Sequence, residues 1–143
     1  MNLREIREGV AGLLDEIEGC NVYASIPEAL AASGVTALVV APGDPYVQYT
    51  EGSGRINENE IRMRVVVIPP QQSGARNIMD EIDDLLSCGT SEPRSIRSTL
   101  GASVSANGTA CALSILQAQV RTITINEFAN VVGEVELKIM ARC

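Results

Sequence analysis

Three sets of side chains in this sequence have the types and spacing to do chemistry. The first is Asp80-Glu81-Ile82-Asp83-Asp84, four carboxylates within five residues, the composition of a divalent-cation site. The second is Arg62 and Arg64, which share one face of a strand, where two guanidiniums can hold an anion. The third is the four cysteines, Cys20, Cys88, Cys111 and Cys143. None of the three sets is completed by its neighbours. On a helix the carboxylates fan round the surface, and the glycine-centred spacing of a calcium loop is missing, so they read as a solvated acidic face. The arginine pair is expected to bridge acids on a neighbouring strand or subunit. The cysteines contain no CxxC pair and the chain has no histidine to complete a zinc site, so reduced thiols and no metal are expected.

The wider inventory points the same way. Histidine is the usual proton carrier at neutral pH, and without it a serine or cysteine nucleophile lacks its customary base. No GxGxxG or GxxxxGK[ST] run offers a phosphate cradle. The sequence therefore reads as a non-enzyme without a cofactor. The aromatic residues are Tyr23, Tyr46, Tyr49 and Phe128, so no platform exists for stacking bases. Net charge is −7, and the excess acid is local: residues 1–20 hold five acids and two arginines, and residues 73–88 four acids and one arginine. Such faces keep a protein soluble and disfavour tight nucleic-acid binding, which needs clustered Lys and Arg.

The elements that would position these residues follow from periodicity. Ile61-Arg62-Met63-Arg64-Val65-Val66-Val67-Ile68 opens in strict alternation, and Val135-Glu136-Leu137-Lys138-Ile139 repeats it. Period two puts Ile61, Met63, Val65 and Val67 on one face, and Val135, Leu137 and Ile139 on one face of a second strand. Between them Ile78, Met79, Ile82, Leu85 and Leu86 recur at helical spacing with the acids opposite, in a helix capped by Ser73 and running to about Ser87. The opposite sheet face keeps Arg62, Arg64, Glu136 and Lys138 and must meet water or another subunit.

A first helix is expected from Asn2, with Glu5 completing a capping box, to a stop at Gly19. Leu3, Ile6, Val10, Leu13, Leu14 and Ile17 form its apolar stripe, and Gly9 and Gly12 each weaken it by about 1 kcal/mol unless they admit a close neighbour. Residues 21–24 read as a short strand ended by Ile26-Pro27, and residues 36–41 as a buried strand stopped by the turn Pro42-Gly43-Asp44-Pro45. A strand over 46–49 and a polar, glycine-rich, mobile loop over 51–60 come next. Pro69-Pro70 closes the strand over 61–68, and Pro93 opens a short helix over 94–100. Residues 101–112 are small and polar around Asn107-Gly108, and strands over 116–125 and 131–141 flank a link at 126–130.

At 143 residues this is one domain, 1–143, long enough to fold without staples: an α+β fold, a mostly antiparallel sheet with helices packed on one face. The longest apolar run, residues 35–41, is too short to cross a bilayer, and synthesis in the cytoplasm is expected.

Taken in order, the layout resembles the tail terminator proteins of long-tailed (siphovirus-type) bacteriophages, small subunits that cap the tail tube where it meets the head. The residues carrying the likeness are Asn2-Leu3-Arg4-Glu5-Ile6-Arg7-Glu8-Gly9, Val22-Tyr23 before Ile26-Pro27, and Pro42-Gly43-Asp44-Pro45-Tyr46. Arg64-Val65-Val66-Val67 before the second helix and the closing Gly133-Glu134-Val135-Glu136-Leu137 complete it. The resemblance implies a six-fold homo-oligomeric ring that stops tail-tube polymerisation. It implies the tail tube protein and a head-side connector or head-closure protein as partners, and a lumen that passes DNA without binding it. A virion site at the head–tail junction, no membrane and no cofactor also follow. The polar loop, with Gly52, Ser53, Gly54, Arg55 and Asn57, and the Arg62–Arg64 pair beside it, are the candidate contacts to a neighbouring subunit. A head-completion or connector ring protein is the nearest alternative. A small-molecule-binding regulatory domain is the next, and it requires dimers and a pocket with converging polar groups.

Overall fold

Alternation in two distant segments becomes direct pairing. In the structure, a computed structural model that describes residues 3–23, 25, 34–49, 58–70, 74–87, 94–100, 103–106, 109–125 and 128–142, strand β3 (Glu58–Ile68) lies antiparallel to β6 (Phe128–Arg142). Their register sets Ile61 opposite Ile139, Met63 opposite Leu137 and Val65 opposite Val135, and these six side chains are buried. Each contributes roughly 1.5–3 kcal/mol by leaving water.

Around this pair lie β1 (Cys20–Tyr23), β2 (Thr36–Gln48), β4 (Ser103–Ala106) and β5 (Thr109–Ile125). Among the described residues the result is one six-stranded sheet of order β1-β2-β3-β6-β5-β4, antiparallel except between β1 and β2. Helices α1 (Leu3–Leu14), α2 (Ala75–Leu86) and α3 (Ile96–Leu100) cover one face. Ile6, Val10, Leu14, Leu85, Ile96 and Leu100 meet the Ile61–Val67 and Val135–Ile139 stripes there in one apolar core. The fold is the α+β class that the patterning implies. Among the described residues no helix is long and apolar enough to cross a membrane.

The structure departs from the sequence reading at several points. Pro42-Gly43-Asp44-Pro45 does not end a strand, because β2 runs through it. Pro42 pairs with Met63 and Val47 with Ile61, so four residues of β2 bulge opposite Arg62 alone, and the Asp44–Pro45 peptide is cis. Gly43 makes the bulge possible, since a Cβ there would lie 2.6 Å from Arg62 Cβ. Helix α1 ends at Leu14 and the chain turns over 15–19, reaching β1 through Gly19 at φ 75°, a conformation that favours glycine. A Cβ on Gly12 would meet nothing within 4 Å, so that glycine admits no close neighbour among the described residues. The cap of α2 is Gly74, with no side-chain capping bond, in place of Ser73. Met79 belongs to the exposed side of α2, leaving Ile78, Ile82 and Leu85 as its buried stripe.

The strands are also longer than expected. Residues 58–60 join β3 rather than the polar loop, α3 begins at Ile96, and β6 begins at Phe128. Residues 103–106, in the stretch that showed no pattern, form β4, which pairs with the start of β5. The face away from the helices is not uniformly polar. Ala37, Val39, Val66, Ile68 and Val132 form a second buried cluster there. The capping positions Asn2 and Ser73, and the loop residues 51–57, lie outside the described residues.

Candidate functional site

The charged residues singled out in β3 sit in a ladder across β3, β6 and β5, on the face away from the helices. Arg62 donates from Nε to Glu60 at 2.9 Å and from Nη1 to Glu136 at 3.2 Å. Arg64 donates to the Pro42 carbonyl at 3.1 Å and to Glu134 at 3.4 Å. Glu134 also accepts from Arg121 at 2.9 Å, Glu136 from Gln117 at 2.6 Å, and Lys138 lies 3.5 Å from Glu60. Alternation builds the ladder, because every second residue of three adjacent strands faces the same way. The hydrogen bond from Arg62 holds the Glu60 carboxyl below its usual range, and Glu60 in turn raises Arg62. Arg62 and Arg64 are thus occupied by acids of their own subunit, the bridging role expected of them, and do not form an open anion seat. Gly52, Ser53, Gly54, Arg55 and Asn57 lie outside the described residues.

The acidic run on α2 is divided by one arginine. Arg94 pairs with Glu81 and, at 3.0 Å, with Asp84, and it also donates to the Glu18 carbonyl at 3.1 Å. The same guanidinium lies 3.6 Å from Cys20 Sγ, tying α2 to the turn that enters β1. Burial pulls Arg94 down, but its bonds to Glu81 and Cys20 outweigh that and raise it. Burial pushes the Cys20 thiol up, against the pull of Arg94, so it stays protonated and unreactive at neutral pH. Among the described residues no three Cys, Asp or Glu side chains come together as a metal site.

The feature that sequence reasoning missed is the outer edge of β5. Strand β4 pairs only with residues 109–112, so among the described residues nothing pairs with the outer side of 113–125. Over 116–122 β5 is exposed on both faces, with Leu116 at 43% and Val120 at 46%. It borders an open groove of about 360 Å³ lined by Leu86, Ile96, Arg97, Ile115, Gln117 and Ala118 among others. A signal existed in the run Leu113-Ser-Ile-Leu-Gln-Ala-Gln-Val-Arg-Thr-Ile-Thr-Ile125. It contains no Pro, Gly, Lys or acid, and Arg121 and the bulge between Ile115 and Gln117 are what interrupts its edge. Chemically the surface offers a row of backbone donors and acceptors beside apolar side chains, the requirements for adding another strand.

No protein-family model matches the chain, and no curated protein matches it either.

Proposed function

We propose that this chain is a structural subunit of a long-tailed bacteriophage virion. It forms a six-fold ring at the head-proximal end of the tail tube, ends tube polymerisation and joins the tail to the head-side connector. The observation that carries this reading is the β5 edge, thirteen residues of strand without a partner among the described residues. Edges of that length and composition are covered in a working protein, and a subunit of an assembly covers them with its neighbours. The order of elements that resembles tail terminators supports the same reading. So does the ladder around Arg62 and Arg64, where charges neutralise one another instead of converging on a ligand.

In this reading the protein is made in the host cytoplasm and ends at the head–tail junction. The tail tube protein and a head-side connector or head-closure protein are its partners. DNA passes an acidic, lysine-poor subunit of net charge −7 without being gripped. The glycine-rich stretch with Gly52, Ser53, Gly54, Arg55 and Asn57 contacts the adjacent copy, and Arg62 and Arg64 meet it as an already neutralised pair. The test is to disrupt the gene in the phage that encodes it and to image the tails. Tails longer than normal, restored to length by adding the protein back, support the proposal. Tails of normal length that lack heads would assign the subunit to the head-side connector instead.

A further inference from the structure

The two ends of the sheet fit each other. Following the register across the sheet, Val22 is level with Leu38, Val67, Gly133 and finally Val120. One residue along, Tyr23 is level with Val39, Val66, Glu134 and Gln119. The outermost strand at one end, β1, therefore stands at the same height as the stretch of β5 that β4 leaves uncovered. Strand directions match as well. Strand β1 is parallel to β2 and three antiparallel steps follow to β5, so β1 and β5 run in opposite directions.

We infer that β5 of one copy receives β1 of the next, antiparallel, so that the sheet continues from subunit to subunit around the ring. Level pairing sets Val22 of the incoming strand beside Val120, and Asn21 and Tyr23 beside Arg121 and Gln119. Val22 and Val120 both lie on the helix-covered side, where Val22 packs at the edge of the main core. Gln119 and Arg121 share the ladder face with Tyr23, which packs against the second cluster. Apolar residues then meet apolar and polar meet polar, and no like charges oppose, whereas a slip of one residue reverses every side chain. The incoming strand adds about four backbone hydrogen bonds to an edge with no strand partner among the described residues. Because β1 and the part of β5 beyond the short β4 lie on opposite edges of the sheet, each copy offers both halves of the contact, which is head-to-tail association. A second β5 would fit less well as occupant, since that pairing is two-fold and ends at a dimer.

The inference rests on the ring reading, and the experiment separates the two. In a chain whose four native cysteines are replaced, Asn21→Cys and Gln119→Cys are introduced together and singly, and a short bis-maleimide is added. These positions are exposed and become diagonal neighbours across the new strand pair. The double variant is expected to give a ladder of covalent oligomers ending at the ring's copy number, with neither single variant linked beyond background. Rings by native mass without a ladder overturn the β1–β5 contact and leave the ring standing. Dimers from Gln119→Cys alone overturn it in favour of β5 meeting β5. Absence of any ring by native mass overturns both.

Discussion

Replacing glycine by alanine is expected to have opposite signs at two positions of this chain. At Gly43 the new Cβ would lie 2.6 Å from Arg62 Cβ, 2.8 Å from its carbonyl carbon and 2.9 Å from its oxygen. Two of these atoms are backbone, so no rotamer change relieves the clash, and the β2 bulge must move away from β3. Overpacking of this kind costs about 1–3 kcal/mol, offset by about 0.4–1 kcal/mol from the stiffer unfolded chain. The net loss for Gly43→Ala is about 1–2 kcal/mol. At Gly12, in the exposed side of α1 with nothing within 4 Å, alanine gains about 1 kcal/mol of helix propensity. For a chain of this length 1 kcal/mol moves Tm by about 3 °C. Thermal melts followed by circular dichroism, at one protein concentration so that assembly contributes equally, should place Gly12→Ala about 3 °C above wild type and Gly43→Ala about 3–6 °C below. A Gly43→Ala protein as stable as wild type would refute the bulge as the reason for that glycine. A destabilised Gly12→Ala would show that this side of α1 is covered in the assembled protein.

Val65→Asp or Val135→Asp should unfold the subunit or make it insoluble, since an unpaired carboxylate on the core face costs several kcal/mol, and a near-normal Tm would put these residues on the wrong face. Glu134→Ala takes the acid partner from Arg64 and Arg121 at once, Arg64 keeping its bond to the Pro42 carbonyl, and with both guanidiniums partly exposed the expected loss in urea unfolding is about 1–2 kcal/mol. The Cys20 thiol, raised by burial, contributes stability that is complete below the unfolded thiol pKa of about 8.5 and is lost as pH rises through the folded value. Tm should therefore fall more steeply above that pH in wild type than in Cys20→Ala, and native Cys20 should alkylate far more slowly than the unfolded chain. Replacing all four cysteines with Ser or Ala should leave assembly intact, with about 1–2 kcal/mol lost at buried Cys20, and loss of assembly on adding reductant or chelator would contradict this.

The core was legible wherever one face of an element is apolar and the other charged. Ile61, Met63 and Val65 and their β6 partners could be named from alternation, because burial on one side only leaves a period of two. The bulge could not be named. Pro42-Gly43-Asp44-Pro45 has the composition of a turn, and only the pairing of Val47 with Ile61 shows that β2 resumes beyond it. Strand β4 was invisible because Ser103-Val-Ser-Ala106 carries one large apolar residue, too few to define a face. The ladder was half legible. Arg62, Arg64, Glu136 and Lys138 follow from alternation, whereas Arg121 and Gln117 enter only through the β5–β6 register, which shifts between Ile115 and Gln117. The free edge of β5 depends on which strand lies outside it, a property of topology that local patterning does not carry.

The proposed role of this protein requires a closed, head-to-tail assembly. Native mass measurement of the purified protein, over a range of concentrations, tests it most directly. A dominant species of six times the chain mass is the expected result, appearing as a ring in negative stain. A chain that stays monomeric, or that stops at a two-fold dimer, would contradict it.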